Sequence, residues 1–588
     1  MNIRFKLLSS FCFLSGLAAA QEPIKESQGF YQFLTEDPSQ KPFFSDRVGV
    51  YAKNGVVAAA HPDASKVGVE ILKAGGNAID AAIAVQFALA VVHPSAGNIA
   101  GGGFMVIRDK TGKTFSIDFR EKAPSKGSRD MYLDKDGNII PNLSILGRLA
   151  SGVPGTVDGM AEAHKKLGKL PWRDILQPAI DLATKGVVQT EREARGLNAI
   201  KKDLLAINPK TEYFQRDDKK DWKTGDTLIQ KDLAKVLIRI QKKGRDGFYS
   251  GKVARLIAKD MRYKKEGIIS KKDLSNYHAQ WRNPISDQYK NFKIITMAPP
   301  SSGGIALIQL MKLTEPYPLK RWGWNTDSTV SLMIEAERRV YADRSKFLGD
   351  PDFVKIPIDT LLNKDYLKKR WQDFSFDKAT DSKNVVGGVI PGYESTETTH
   401  FSIVDKEGNA VSVTTTLNGS YGSRVVVKGA GFLMNNEMDD FSVKPGAPNM
   451  YGLFGNKANA IAPNKRMLSL MTPSILEKDG KLFMVVGTPG GSTIITSVYQ
   501  TILNVLEHGM TMQQAVNALK FHHQWIPDKT VFEKGAFTEN TLNKLLSKSY
   551  ILEQQRNSIG RMDCILVLPD GSLEGASDPR SDDMSVGY

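Results

Sequence analysis

Apolar and polar residues follow one another in three rhythms along this chain, and each rhythm predicts a different kind of element. Residues 56–94, VVAAAHPDASKVGVEILKAGGNAIDAAIAVQFALAVVHP, predict a strand and then two helices of small residues, with Gly75 and Gly76 as the stop between them. Residues 97–124, GNIAGGGFMVIRDKTGKTFSIDFREKAP, predict a glycine-rich turn into a hairpin: FMVIR, a turn at Lys110 to Lys113, then TFSIDFR. From residue 155 to 380 the pattern is mostly helical, clearest in EAERRVYADRSKFLGD, and the turn-rich PPSSGG at Pro299 to Gly304 interrupts it. Asp377 to Glu397 is polar and weakly periodic, the composition of an exposed connector. Period-two alternation then sets in: TTHFSIVD, a turn at KEGN and AVSVTTTLN predict a hairpin. KLFMVVGTPGG and MDCILVLPDG predict further strands, with a helix from Ile495 to His508 between them. The chain contains no internal repeat and no low-complexity linker.

Composition narrows the class. With 41% hydrophobic and 24% charged residues, whole-chain disorder and fibrous architectures are excluded. At about 150 residues per domain, 588 residues suggest about four domains, although a single large α/β enzyme also reaches this size. Two cysteines are too few for a disulfide scaffold or a cysteine-built zinc or iron–sulfur site. Arg4 and Lys6 precede the apolar run LLSSFCFLSGLAAA, in which Ala18 and Ala20 stand at signal-peptidase spacing. Residues 1–20 are therefore expected to be a cleaved export signal, too short for a stable membrane span, and the mature protein to be periplasmic or secreted. Cys12 leaves with the signal, so Cys564 remains alone.

The net charge of +15 is unevenly placed: Lys201 to Lys293 hold 24 basic against 12 acidic residues, while residues after 397 hold 17 basic and 18 acidic. No aromatic platform or groove-reading motif accompanies the basic stretch, which argues against nucleic acid as a partner. KVLIRIQKKGRDGFYSGKVARLIAKDMR fits an amphipathic helix with a solvated basic face, an anionic surface or polymer being the alternative.

Common active-site signatures are missing. There is no HExxH pair and no GxSxG elbow, and adjacent His522 and His523 on a helix would point about 100° apart rather than at one metal. Gly101 to Gly103 is followed by a strand and no GxxxxGKS, which argues against a phosphate cradle. What stands out is Thr398, a hydroxyl residue where the connector meets the first strand of the neutral half. If the Glu397–Thr398 bond were cut, Thr398 would carry both a hydroxyl and a free α-amine of ordinary pKa about 7.7–8.0, nucleophile and base on one residue. The plainer account of Thr398-Thr399 is the β-propensity of threonine at a strand start.

The surroundings of that dipeptide decide between the two. HPDASKVGVEILKAGGNAIDAA, GGGFM, DFREKAP, PPSSGG, TTHFSIVDKEGNAVSVTTTLN, NNEMDDFSVKPG, VVGTPGGSTIIT, FHHQWIPD and the terminal GASDPRSDDMSVGY closely resemble the γ-glutamyltransferase family, from Val57 to Tyr588. The resemblance implies an α/β fold of the Ntn-hydrolase type, a four-layer αββα sandwich. It further implies one precursor that cuts itself into a large subunit, 21–397, and a small subunit, 398–588, which build the sandwich together.

The resemblance also assigns roles. Thr398 matches the nucleophile and Glu397–Thr398 the cleavage site, while Thr416 matches the threonine bonded to the nucleophile. Asn418, Glu437 and Asp440 match residues that grip the donor's α-amino and α-carboxyl ends, and Arg120 matches the arginine that pairs with the α-carboxylate. Gly490 and Gly491 match the oxyanion-hole pair, and Tyr451 matches an aromatic residue of the lid loop. In KRMLSLMTPS the family usually has two serines against the donor carboxylate, and this chain has Ser469 and Leu470. A lost hydroxyl bond there is worth about 0.5–1.5 kcal/mol, or up to about 3 to a charged acceptor.

The implied reaction passes the γ-glutamyl group of glutathione or a similar compound through Thr398 to water, an amino acid or a dipeptide, with no metal or organic cofactor. Two alternatives stay open: a related amidase acting on glutaryl amides or poly-γ-glutamate, and an uncut secreted binding protein.

Overall fold

The computed structural model describes residues 43–385, 398–444, 450, 457–555 and 557–588. The expected signal, residues 1–20, and the expected site residues Glu397 and Tyr451 lie outside the described residues.

Two seven-stranded antiparallel sheets lie face to face. The first runs, edge to edge, Val50–Ala52, Leu573–Ser577, Asp563–Val567, Lys481–Val486, Ser474–Lys478, Phe292–Thr296 and Ile285–Tyr289. The second runs Met584–Gly587, Val56–Ala59, Thr399–Val404, Ala410–Thr416, Gly102–Arg108, Thr114–Asp118 and Gln280–Arg282. Each sheet mixes strands from before and after residue 398, so neither side of that point closes a sheet alone. Val56, Phe104, Val106, Ile295, Ile475, Val485 and Ile565 fill the space between the sheets.

The outer layers follow from helices with different faces. Ala78–Val92 is buried along its whole length, and its alanines let neighbours approach closely. Its start is set by Asn77, whose side chain accepts from the Ile79 and Asp80 amides while the Asp80 carboxylate accepts from the Asn77 amide. This helix and Pro62–Lys73 cover the second sheet through Phe401, Ile403, Val411 and Val413. Gly303–Thr314, Asp327–Phe347 and Thr493–Leu506 cover the first sheet. The αββα sandwich is therefore observed.

Differences from the sequence reading are local. The mostly helical stretch 155–380 contains the strands Gln280–Arg282, Ile285–Tyr289 and Phe292–Thr296, joined in part through a turn at Lys290 with φ +52°. The helix expected at Ile495 to His508 is Thr493–Leu506. The basic stretch forms Lys231–Lys243, Asp246–Tyr249 and Gly251–Met261, with Gly244 at φ +54° breaking the first from the second. Leu237, Ile240, Val253 and Ile257 turn inward and the lysines outward, the amphipathic arrangement expected. Among the described residues no helix is long and apolar enough to cross a membrane.

Candidate active site

The hairpin Thr399–Val404 and Ala410–Thr416 places the candidate nucleophile. Thr399 faces Thr415 and Val404 faces Ala410, and the turn is tied by Asp405, whose carboxylate accepts from the Glu407 and Asn409 amides. Alternation sends Phe401 and Ile403 into the helix-facing core and His400 and Ser402 between the sheets. His400 is held there by Thr414 Oγ1 at 2.9 Å and Ser402 Oγ at 3.0 Å, and burial pulls its pKa down to about 3, so it packs as a neutral ring.

Thr398 precedes the first strand, is buried, and directs its hydroxyl toward Thr416 Oγ1 at 3.5 Å. Thr416 Oγ1 in turn accepts from the Asn418 amide at 2.7 Å. Asn418, at φ +74°, donates from Nδ2 to the Asn436 carbonyl at 3.1 Å. The three expected residues of this hairpin end therefore meet, with Asn418 fixed by the segment that carries Glu437 and Asp440.

Arg120 reaches the same place through sheet pairing. Thr416 is paired with Gly102, and Phe104 with Asp118, so the end of Thr114–Asp118 lies level with the end of Ala410–Thr416. The Arg120 guanidinium is buried, meets Glu437 Oε2 at 2.6 Å, bonds to Asp440, and stands 3.6 Å from Glu121 Oε2. Arg120 here faces three carboxylates. Burial, with the neighbouring acids, pushes Glu121 up to about 8 and Glu437 well above the usual carboxylate range, and burial raises Asp440 as well. The side-chain oxygens of Glu121 find no hydrogen-bond partner among the described residues.

The turn after Lys481–Val486 carries Gly490 at φ +142° and Gly491 at φ +57°, conformations that favour glycine. Their carbonyls accept from Thr493 and Ile494, opening the helix, whereas neither amide meets an acceptor among the described residues. A Cβ on Gly490 would lie 3.6 Å from Gly560 Cα, beside Arg561, whose Nη2 reaches the Thr398 carbonyl oxygen at 3.5 Å.

Ser469 is buried, and its hydroxyl accepts from the Met471 amide at 3.2 Å. Leu470 packs its side chain into the apolar core under the first sheet, so the carbon skeleton at this position is part of the packing. His522 and His523 lie on the strand Phe521–His523, not on a helix, and His522 is satisfied by Thr496 at 2.9 Å and Gln524 at 3.0 Å. No group of three or more His, Cys, Asp or Glu side chains suited to a metal occurs among the described residues.

Two arginines of the site carry no signal in the sequence. Arg344 is buried on the helix Asp327–Phe347, donates to Ser302 Oγ at 2.9 Å, and interacts with Asp440; Ser302 donates to the Ser469 carbonyl at 2.6 Å. Arg561 stands alone in SIGRMDC, and only the packing of its loop against Thr398 reveals it. Ser302 lies inside the PPSSGG motif, which the sequence marks only as a turn.

The family model described as Gamma-glutamyltranspeptidase matches residues 64–588. The glutathione hydrolase proenzyme of Escherichia coli (strain K12) is 45% identical over 583 residues, 99% of this chain and 98% of that protein. The structure of cephalosporin acylase from Bacillus halodurans is similar at a TM-score of 0.81 and 26% identity, over 94% of this chain and 99% of that chain. That of Helicobacter pylori gamma-glutamyltranspeptidase is similar at a TM-score of 0.54 and 45% identity, over 58% of this chain and 95% of that chain.

Proposed function

The chain belongs to the gamma-glutamyltranspeptidase family, and from that premise we propose how its residues divide the work. It is a self-processing γ-glutamyltransferase and glutathione hydrolase whose large and small subunits arise from one precursor. The proposed cut is Glu397–Thr398, giving subunits 21–397 and 398–588 after removal of an export signal at 1–20. The mature enzyme then works in the periplasm or outside the cell.

The observation that carries this reading is the buried hydroxyl pair Thr398 and Thr416 at 3.5 Å, directly after the connector. In processing, Thr398 Oγ attacks the Glu397 carbonyl carbon; the C–N bond breaks as the C–O bond forms, and water then hydrolyses the ester and leaves a free amine. In turnover the same oxygen attacks the γ-amide carbon of glutathione while the amine accepts its proton. The Gly490 and Gly491 amides, which meet no acceptor among the described residues, supply the oxyanion cradle. The proton passes to the leaving cysteinylglycine nitrogen, and water, an amino acid or a dipeptide takes the acyl group.

Recognition follows from the crowded cluster. A γ-glutamyl donor carries a carboxylate and an ammonium on one carbon, so it brings Arg120 a further anion and brings Glu437 and Asp440 a further cation. Asn418 and Ser469 flank that zwitterion. Retention of Asp440 favours donors with an amino group over glutaryl amides, and the 45% identity to a glutathione hydrolase against 26% to a cephalosporin acylase points the same way. Thr398→Ala should run as one band on a denaturing gel and lack activity. Two fragments with full turnover would overturn the assignment.

A further inference from the structure

We propose that Arg561 is the positioning residue of Thr398: it holds the carbonyl of that residue and keeps the adjacent α-amine uncharged, free to accept a proton. The proposal rests on Thr398 being the nucleophile. Arg561 Nη2 lies 3.5 Å from the Thr398 carbonyl oxygen, so a cation that never deprotonates stands beside the residue that supplies both hydroxyl and base.

The arginine is held on several sides. Its amide donates to Thr488 Oγ1 at 2.8 Å, at the start of the TPGG turn, and the preceding Gly560 carbonyl accepts from Arg580 at 2.9 Å. The strand Asp563–Val567 begins two residues later and is paired along its length with Leu573–Ser577. The guanidinium itself is buried.

The charged and titratable groups around it come from both prospective subunits: Asp563, Asp578 and Asp583 from the small one, His93 and Arg192 from the large one. Burial, and the neighbouring Asp583 and Asp578, hold Asp563 well above the carboxylate range. Burial also moves Asp583 up to about 6, and burial with Arg192 and Arg561 keeps His93 neutral. At neutral pH the field beside Thr398 is therefore set by the arginines against the carboxylate of Asp583.

A cation beside the α-amine disfavours the ammonium and lowers its pKa from the ordinary 7.7–8.0. Only the uncharged amine accepts the Oγ proton as the Oγ–C bond forms, so the share of competent enzyme at neutral pH depends on that shift. The hydrogen bond to the carbonyl adds orientation, because it fixes the peptide plane between Thr398 and Thr399.

The test is the pH profile of kcat/KM for a γ-glutamyl anilide, measured on processed enzyme of the parent, Arg561→Gln, Arg561→Lys and Asp583→Asn. Loss of the cation should raise the midpoint of the acid limb by about one unit. Arg561→Lys should leave it near the parent value with a lower kcat, and Asp583→Asn, which removes an anion, should move it down. A purely structural role would lower the yield of active enzyme with unmoved midpoints, and that result overturns the proposal. Should Arg561→Gln stay uncut, the other two variants decide, and a midpoint that is unmoved or raised in Asp583→Asn overturns it. N-terminal sequencing of the small fragment keeps the two ideas apart: a start other than Thr398 defeats the nucleophile reading, whereas a Thr398 start with unmoved midpoints defeats only the role of Arg561.

Discussion

Two buried arginine clusters in this chain are built from the same residue types and finished differently. On the helix Asp327–Phe347, Arg339 meets Glu335 at 2.6 Å and Asp373 at 2.7 Å and donates to the Arg370 carbonyl at 2.9 Å, while Arg338 bonds to Asp528 and Ser382. At the site, Arg120 faces Glu121, Glu437 and Asp440, with Arg344 also acting on Asp440, and burial raises the pKa values of those acids. The first cluster has its donors placed and two of its acids, Asp373 and Asp528, partly exposed, and it ties the chain at Asp373 and Ser382 to the helix. The second buries its acids more deeply and leaves the side-chain oxygens of Glu121 without a hydrogen-bond partner among the described residues, where the proposed donor brings an ammonium.

The comparison can be broken from either side. Arg120→Gln takes the guanidinium away from three buried acids and removes the partner of the donor carboxylate, which should cost about 3–5 kcal/mol in kcat/KM, roughly a thousandfold, in donor kinetics. A change below tenfold would mean that the guanidinium is structural. Arg339→Met removes a cation of similar burial, so about 3–5 kcal/mol should be lost from stability, seen as a lower thermal midpoint, with the donor KM of the folded enzyme unchanged. A raised KM there would blur the distinction between the clusters.

Asp440→Asn should weaken γ-glutamyl donors by about 1.5–3 kcal/mol while leaving glutaryl amides nearly unaffected, which a two-donor comparison reads as a narrowed preference. Its pH dependence has a definite sign. Burial raises the Asp440 pKa, protonation removes the counter-charge of the donor ammonium, and KM should therefore rise as pH falls in the parent but stay flatter in the variant. The smallest kinetic effect belongs to Leu470→Ser. Because Leu470 lies in the core, the variant should lose about 2 kcal/mol of stability and change donor KM by less than about threefold. A tenfold tighter KM would show that the hydroxyl reaches the donor.

Much of this arrangement is legible in the residue order, because local rhythm dictates it. The alternation in TTHFSIVD and AVSVTTTLN sets the hairpin and its faces, and Asn77 with Asp80 sets the start of a buried helix. The three strands between Gln280 and Thr296 are hidden by a helical neighbourhood and by a turn at Lys290 that contains no glycine. Arg120, Glu437 and Asp440 are found only through their motifs, since no spacing predicts that sheet pairing brings Arg120 level with Thr416. Arg344, one of several cations on its helix, and the isolated Arg561 have places set by long-range packing, and a linear pattern contains no trace of that.

The central claim is that one bond of the chain is cut to create the nucleophile. N-terminal sequencing of the smaller fragment of purified protein tests it most directly. The account predicts two bands, the smaller beginning Thr398-Thr399-His400-Phe401; a single uncut chain with full activity, or a fragment starting at any other residue, would contradict it.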